Sequence, residues 1–269
     1  MILFPNCKIN LGLNIVQRRP DGYHDLETIF YPIPLKDVLE VIPSTRFQFI
    51  PSGLKIPGDE KTNLCLKAYQ LIKDKFPSLP PVEIHLYKHI PVGAGLGGGS
   101  ADGAFMLRAL NDRFDLGLSE DQLNSLAGQI GSDCPFFLFN KPCFARGRGD
   151  LLQTIQLDLS CYSFLLIDPR IHVETAWAFS QLAPIPPLES IKEIIQGPIS
   201  GWRGQLINDF EMPVMRKYPQ LENIKSKLYK AGALYASMTG SGSCFYGIFE
   251  KNAIPSLSFE ENFQTVIIK

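Results

Sequence analysis

The stretch PVGAGLGGGSADGA, Pro91 to Ala104, carries glycine at five of the seven positions from Gly93 to Gly99. Glycine at that density lets a backbone come very close to a ligand. A strand, a glycine loop and a helix start also offer free N–H groups and the positive end of a dipole, which suits an anion such as a phosphate. The competing reading is a tight turn that needs positive φ, for which one or two glycines would serve. An ordinary phosphate-binding loop ends in Gly-Lys-Ser/Thr. Here Ser100-Ala101 stand in that place, so any cation must come from elsewhere in the chain. Gly93, Gly95 and Gly98 also satisfy GxGxxG, but the context of a dinucleotide fold is missing. The preceding VEIHLYKHI alternates instead of running continuously apolar, and the helix after the loop leads to a second helix beginning at Ser119.

Four other places hold residues able to do chemistry. CKINLGLNIVQ alternates, with Ile9, Leu11, Leu13 and Ile15 on one face and Lys8, Asn10, Gly12 and Asn14 on the other. It predicts a half-buried strand on which Lys8 and Asn10 lie roughly 7 Å apart. Taken alone, Lys8 reads as a solvated strand lysine. In GSDCPFF, Asp133 precedes Pro135 by two residues and reads as a helix N-cap. Tyr23 and His24 follow a Pro-Asp-Gly turn. SMTGSGSCFYGIF is a second glycine loop running into a strand.

The elements that must position these residues follow from periodicity. LETIFYPI, DVLEVI and VEIHLYKHI suit strands, the last with Val82, Ile84, Leu86 and Ile90 on one side. Residues 62–76 form a helix with Leu64, Ala68, Leu71, Ile72 and Phe76 in a stripe. A helix from about Ala101 to Phe114 follows the glycine loop, with Ser100 as a candidate cap. Ser119 and Gln122 form a capping box for the next helix, which GSDCPFF ends. Past about residue 156 the pattern restarts with a buried strand, YSFLLID, then a short helix, VETAWAFSQL. A proline-rich loop around Pro184–Pro187 and a helix, QLENIKSKLYKAG, stopped by Gly232, come next. Mixed elements with alternation favour antiparallel pairing and an α+β class, with domains at 1–156 and 157–269.

Composition narrows the function classes. The chain has 269 residues, 45% hydrophobic and 20% charged, with a net charge of −1. There is no basic field for nucleic acid or an anionic membrane. The six cysteines lack metal-ligand spacing and read as reduced thiols acting as small hydrophobes. No apolar run spans a bilayer, and MILFPNCKIN is too short and interrupted for a signal peptide. The expectation is a cytoplasmic enzyme or binding protein, monomer or homodimer.

Three separated motifs, PNCKINLGLNIVQRRPDGYHDLET, PVGAGLGGGSADGA and MTGSGSCFYGIF, together with GSDCPFF, resemble the GHMP kinases over essentially the whole chain. The glycine loop alone marks the superfamily. KINLGLNIVQRRPDGYH is similar to the branch that phosphorylates a cytidine-diphosphate-linked methylerythritol on its tertiary 2-hydroxyl, for non-mevalonate isoprenoid synthesis. One departure is Gly103, where the family pattern leads us to expect alanine. The resemblance implies a two-domain architecture of mixed, largely antiparallel sheets with an active-site cleft between the domains. It implies ATP held by Pro91, Val92, Gly93, Ala94, Gly95, Leu96, Gly97, Gly98, Gly99, Ser100 and Ala101. It makes Asp133 the base and Lys8 its cationic partner. Mg²⁺ is expected with ATP, and Ser100 is its nearest candidate ligand.

Substrate recognition on this reading falls to Asn10, Tyr23, His24, Thr175 and Phe179. Tyr23 and Phe179 would be flat walls for cytosine and His24 a partner for its edge. Phe179 also reads as core, His24 as an ordinary turn histidine, and Asn63 either caps a helix or meets adenine. Two alternatives share parts of the pattern: a GHMP kinase for mevalonate, homoserine or a sugar, and a nucleotide-binding module without catalysis.

Overall fold

The computed structural model describes residues 1–269 except 185, 186 and 188, so part of the proline-rich segment Pro184–Pro187 lies outside the described residues. In chain order the strands are β1 (Ile2–Leu3), β2 (Asn6–Arg18), β3 (His24–Lys36), β4 (Val38–Pro43), β5 (Gln48–Gly53), β6 (Val82–Lys88), β7 (Cys143–Arg146), β8 (Leu151–Thr154), β9 (Tyr162–Asp168), β10 (Tyr235–Met238), β11 (Phe245–Glu250) and β12 (Gln264–Ile268). The helices are α1 (Leu64–Lys75), α2 (Gly98–Arg113), α3 (Glu120–Ile130), α4 (Cys134–Phe139), α5 (Thr175–Ser180), α6 (Ile191–Ile194), α7 (Glu211–Lys217) and α8 (Glu222–Lys230). The class is α+β.

The chain forms two compact units, one of residues 1–8, 32–92 and 97–141, the other of residues 9–31, 93–96 and 142–269. The first unit contains the sheet β1-β4-β6-β5 and helices α1 to α4. Its strands pair antiparallel except β5, which runs parallel to β6. Val82, Ile84 and Leu86 on β6 are fully buried, as alternation predicts. Lys88 falls on the same register of β6 and is buried with them.

The second unit contains the antiparallel sheet β10-β11-β9-β12. Helices α7 and α8 contribute Val214, Ile224 and Leu228 to its core, beside Leu165, Phe245 and Phe249. β3 pairs with β7, and β7 with β8, in a further sheet that includes β2. β2 is not half-buried as expected. Its residues from Asn6 to Leu13 are all buried, including the polar Lys8 and Asn10, because hydrogen bonds and an ion pair take the place of solvent on that face.

Two corrections concern α2. It begins at Gly98, not near Ala101, and its N-cap is Gly97 at φ +71 with no side-chain cap. Ser100 therefore sits inside the first turn and does not cap. The capping box of Ser119 and Gln122 at α3 is present as predicted.

Gly103 has a packing reason. A Cβ there would lie 2.8 Å from Leu64 Cβ and 3.1 Å from Ile130 Cδ1, so α1 and α2 approach over a missing side chain. Ala favours a helix interior by about 0.8–1 kcal/mol over Gly. Overpacking typically costs about 1–3 kcal/mol and outweighs that gain here. We expect Gly103→Ala to lower stability by about 1–2 kcal/mol in urea unfolding, against the helix-propensity trend.

Candidate active site

Lys8 and Asp133 meet in the first unit. Lys8 Nζ stands 3.7 Å from Asp133 Oδ2, with the lysine side chain 4% and the aspartate side chain 31% exposed. One partner is therefore embedded and the other reaches solvent. Burial pushes the Lys8 pKa below its ordinary 10.5, and the Asp133 carboxylate opposes that shift. Two unit charges at this range attract by about 4 kcal/mol at an effective dielectric of 20, enough to matter against a desolvation cost of several kcal/mol. The pair opposes the loss of charge that burial favours.

Local geometry presents the carboxylate. α3 ends as Gly131 N donates to the Ala127 carbonyl, and Cys134 N then donates to the Gly131 carbonyl. Pro135 enters the first turn of α4. Asp133 occupies the N-cap position at φ −84° and ψ −13°, yet its side chain makes no capping bond. The carboxylate faces Lys8 instead, so capping does not account for it. Arg108 of α2 donates to the Leu138 carbonyl at 2.6 Å. Asn140 Nδ2, just after α4, donates to Asn6 Oδ1 at 2.8 Å, two residues before Lys8. Those bonds hold α4 against α2 and the start of β2.

The lysine stem passes under the glycine loop. A Cβ on Gly97 would lie 3.0 Å from Phe137 Cζ and 3.2 Å from Lys8 Cγ and Cε. Gly93, Gly95 and Gly97 all have positive φ, at 71°, 80° and 71°. Gly98 is backed by Ile90, 2.8 Å from where its Cβ would be. Gly99 differs, since a Cβ there would meet nothing within 4 Å. Pro91, Ala94, Leu96 and Ala101 are buried, while Val92, Gly93 and Gly99 are exposed and Ser100 is half-buried. The glycine density thus has two causes: turn geometry and close packing explain Gly93, Gly95, Gly97 and Gly98, and open space beside the helix N-terminus explains Gly99. The first N–H groups of α2 have no partner within the helix and point toward that end.

Within the second unit the two glycine loops touch backbone to backbone. A Cβ on Gly95 would collide with the Thr239 carbonyl, and one on Gly240 would lie 3.0 Å from Gly95 Cα. Asn10 locks this contact. Its Oδ1 accepts from Gly240 N at 3.0 Å and its Nδ2 donates to Thr28 Oγ1 at 2.9 Å. Its backbone N donates to Thr239 Oγ1 at 3.1 Å, and Tyr246 O–H donates to its carbonyl at 2.7 Å.

The remaining predicted residues are placed as follows. His24 stacks on Phe179 with ring centroids 5.0 Å apart and planes at 20°. Phe179 also meets Phe210 edge-on at 4.9 Å, so it belongs partly to the core. Burial, then the charge of Arg18, lowers the His24 pKa and favours a neutral ring with one donor and one acceptor nitrogen. Tyr23 is 57% exposed, and the Arg148 guanidinium lies over its ring at 5.0 Å. Thr175 Oγ1 is 3.0 Å from Ser241 Oγ. Asn63 caps α1, its Oδ1 accepting from Cys65 N at 2.9 Å. It also lines a cavity of about 340 Å³ with Leu64, Lys88, Val92, Gly99 and Asp102.

The pattern described as "GHMP kinases N terminal domain" matches residues 63–141, and "GHMP kinases C terminal" matches residues 191–257. A Bacteroides fragilis protein named 4-diphosphocytidyl-2-C-methyl-D-erythritol kinase is 51% identical over 268 residues, covering 98% of this chain and 97% of the relative. The chain belongs to the GHMP kinases. A Parabacteroides distasonis protein of the same name is 50% identical, covering 93% of this GHMP kinase and 92% of the relative. A crystal structure titled 4-(cytidine 5'-diphospho)-2C-methyl-D-erythritol kinase superposes with a TM-score of 0.78 at 32% identity, covering 92% of this chain and 90% of that one. Mevalonate kinase from Methanococcus jannaschii shares the fold, with a TM-score of 0.68 at 16% identity over 94% of this chain and 92% of that one.

Sequence reasoning overlooked two charged residues of this GHMP kinase, Asp37 and Lys88. The signal was available for Lys88: it is the fourth inward position of β6, after Val82, Ile84 and Leu86. Asp37 stands alone between β3 and β4 and gives no periodic signal.

The glycines separate by stability. Gly95→Ala is expected to lose about 2–4 kcal/mol, from overpacking and a positive φ. Gly99→Ala is expected to stay within about 1 kcal/mol of the parent chain. Urea unfolding of both variants checks the contrast.

Proposed function

We propose that this kinase transfers the γ-phosphoryl group of ATP to the 2-hydroxyl of 4-diphosphocytidyl-2-C-methyl-D-erythritol. The observation that carries the reading is the Lys8–Asp133 pair, buried on the cationic side and solvent-reaching on the carboxylate side, beside the glycine N-cap of α2. The names of relatives at 50% and 51% identity support the substrate. Mevalonate and homoserine kinases at 16% identity share only the fold.

In the proposed reaction Asp133 takes the hydroxyl proton as the alcohol oxygen attacks the γ-phosphorus, and ADP leaves. General-base help of this kind is worth about 10²–10⁴-fold. Lys8 keeps Asp133 ionised and faces charge developing on the transferring group. The N–H groups at the start of α2 receive phosphate oxygens, with Gly99 leaving the approach open. Asn63 and Val92 would line the adenine position in their cavity. Tyr23, His24, Phe179 and Thr175 would serve the cytidine substrate, His24 as the neutral donor–acceptor its environment favours, while the buried Asn10 would serve it by holding the two glycine loops together.

No cluster of three or more His, Cys, Asp or Glu suited to a metal occurs among the described residues. Mg²⁺ bound largely through ATP phosphates needs no such cage, and the half-buried Ser100 hydroxyl in the first turn of α2 fits a single contact to it. Bound there, the ion would neutralise phosphate charge. We keep a division of the family domains at residue 156, between the two family matches, although the compact units divide differently, residues 9–31, 93–96 and 142–156 belonging to the second. All six cysteines are free thiols, which suits the reducing cytoplasm. No helix among the described residues is long and apolar enough to cross a membrane.

The deciding assay offers the purified protein ATP with the cytidine substrate, mevalonate or homoserine. ADP release with the first alone is expected, and Asp133→Asn should keep ATP affinity while losing about 10²-fold or more in kcat. ADP release with mevalonate instead would reassign the substrate, and near-parental turnover by Asp133→Asn would remove the base. A second expectation concerns pH. Because burial lowers the Lys8 pKa, its ammonium is lost as pH rises through a value below 10.5. The kcat/KM profile should fall on its alkaline side below that pH, and Lys8→Arg should move the fall upward, since arginine stays charged.

A further inference from the structure

We propose that Asp37, Lys88 and Asp102 are positioning residues that clamp both feet of the glycine loop; the proposal rests on the assignment of that loop to ATP. The three side chains are almost fully buried in the first unit, at 0%, 3% and 3% exposure. Lys88 ends β6, three residues before Pro91, and Asp102 lies in the second turn of α2. They are the strand foot and the helix foot of one loop.

Lys88 Nζ bridges them. It donates to Asp102 Oδ2 at 2.6 Å and to Asp37 Oδ2. Asp37 Oδ1 then accepts from the backbone N–H groups of His89 at 2.6 Å and Ile90 at 2.8 Å, the peptides that lead into the loop. Asp37 is itself anchored, its backbone N donating to the Pro5 carbonyl at 2.8 Å. The ammonium lies beneath the helix start, 3.4 Å from where a Cβ on Gly98 would be.

This arrangement does not suit a phosphate ligand. Lys88 already serves two carboxyl groups, so its ammonium is committed within the protein. Burial pushes the Asp102 carboxyl up to about 8, with Lys88 pulling against it and Asp37 adding to the push. Burial would lower the Lys88 pKa, but the two carboxylates outweigh it and raise it. Asp102 Oδ1 is buried without a hydrogen-bond partner among the described residues. An apolar trio would avoid these costs, so packing alone gives no reason for the charges. What the ions add is direction: one ammonium fixes the distance between strand end and helix start, and one carboxylate orients two loop peptides. A loop fixed in advance loses less freedom when a triphosphate binds.

The test compares the parent chain with Lys88→Met and Asp102→Asn. It measures melting temperature, ATP dissociation constant, and KM for ATP and for the cytidine substrate. Asp102→Asn keeps the shape and one acceptor for Lys88, so it should remain folded. Its KM for ATP should rise about 3- to 10-fold while KM for the cytidine substrate is unchanged. Lys88→Met should raise the ATP constant about 10- to 100-fold, the range for a lost charge-assisted hydrogen bond. If Lys88→Met does not fold, Asp102→Asn decides alone. A folded Asp102→Asn with both ATP constants within twofold of the parent, or with both substrates' KM values moving together, overturns the clamp. A parent chain that does not bind ATP overturns the functional proposal beneath it.

Discussion

A buried ammonium must keep a counter-charge in reach, and at Lys8 that requirement organises the site. Its side chain is enclosed between the glycine loop, Phe137 and Asp133, so it cannot turn to solvent. Several local features follow. Gly97 must lack a side chain, because the lysine stem and Phe137 occupy that space. The α3–α4 bend must aim Asp133 at the amine instead of at its own helix. Asn6, Asn140 and Arg108 tie strand and helices so that the facing charges stay in register. The residual exposure of Asp133 leaves the carboxylate open to a second partner.

The glycines show how one composition serves separate physical needs. At Gly95 and Gly240 two backbones lie in contact, and any side chain would force the loops apart. At Gly97 the need is a left-handed N-cap over a lysine, and at Gly103 the close passage of α1 over α2. At Gly99 nothing in the protein requires the missing Cβ. Gly99 sits in the first turn of α2, at a helix end whose dipole favours an anion.

Kinases of mevalonate and homoserine at 16% identity share the fold, and a shared fold does not fix the substrate. The Tyr23–His24 turn, with Phe179 and Arg148 around it, brings exposed and half-exposed aromatic and cationic groups together.

Residue order by itself determined the class, most strands and helices, the capping box at Ser119, and the motifs that mark the family. These depend on short-range pattern: period two, period 3.6, and turn chemistry within a few residues. It also singled out Lys8, Asp133 and the glycine loop as candidates. Tertiary structure decided the rest. Asp133 and Ser100 both looked like caps, and neither caps: the Asp133 carboxylate faces Lys8, and α2 starts two residues before Ser100. β2 looked half-buried because its polar residues alternate, yet Lys8 and Asn10 are enclosed by partners 125 and 229 residues away. Asn63 caps a helix and also lines a cavity, which no one-dimensional pattern distinguishes. Asp37, Lys88 and Asp102 lie 51 and 14 residues apart and become one unit only where a strand end and a helix start converge. Periodicity reports which face a residue occupies; which charge it meets there is set by the packing of distant segments.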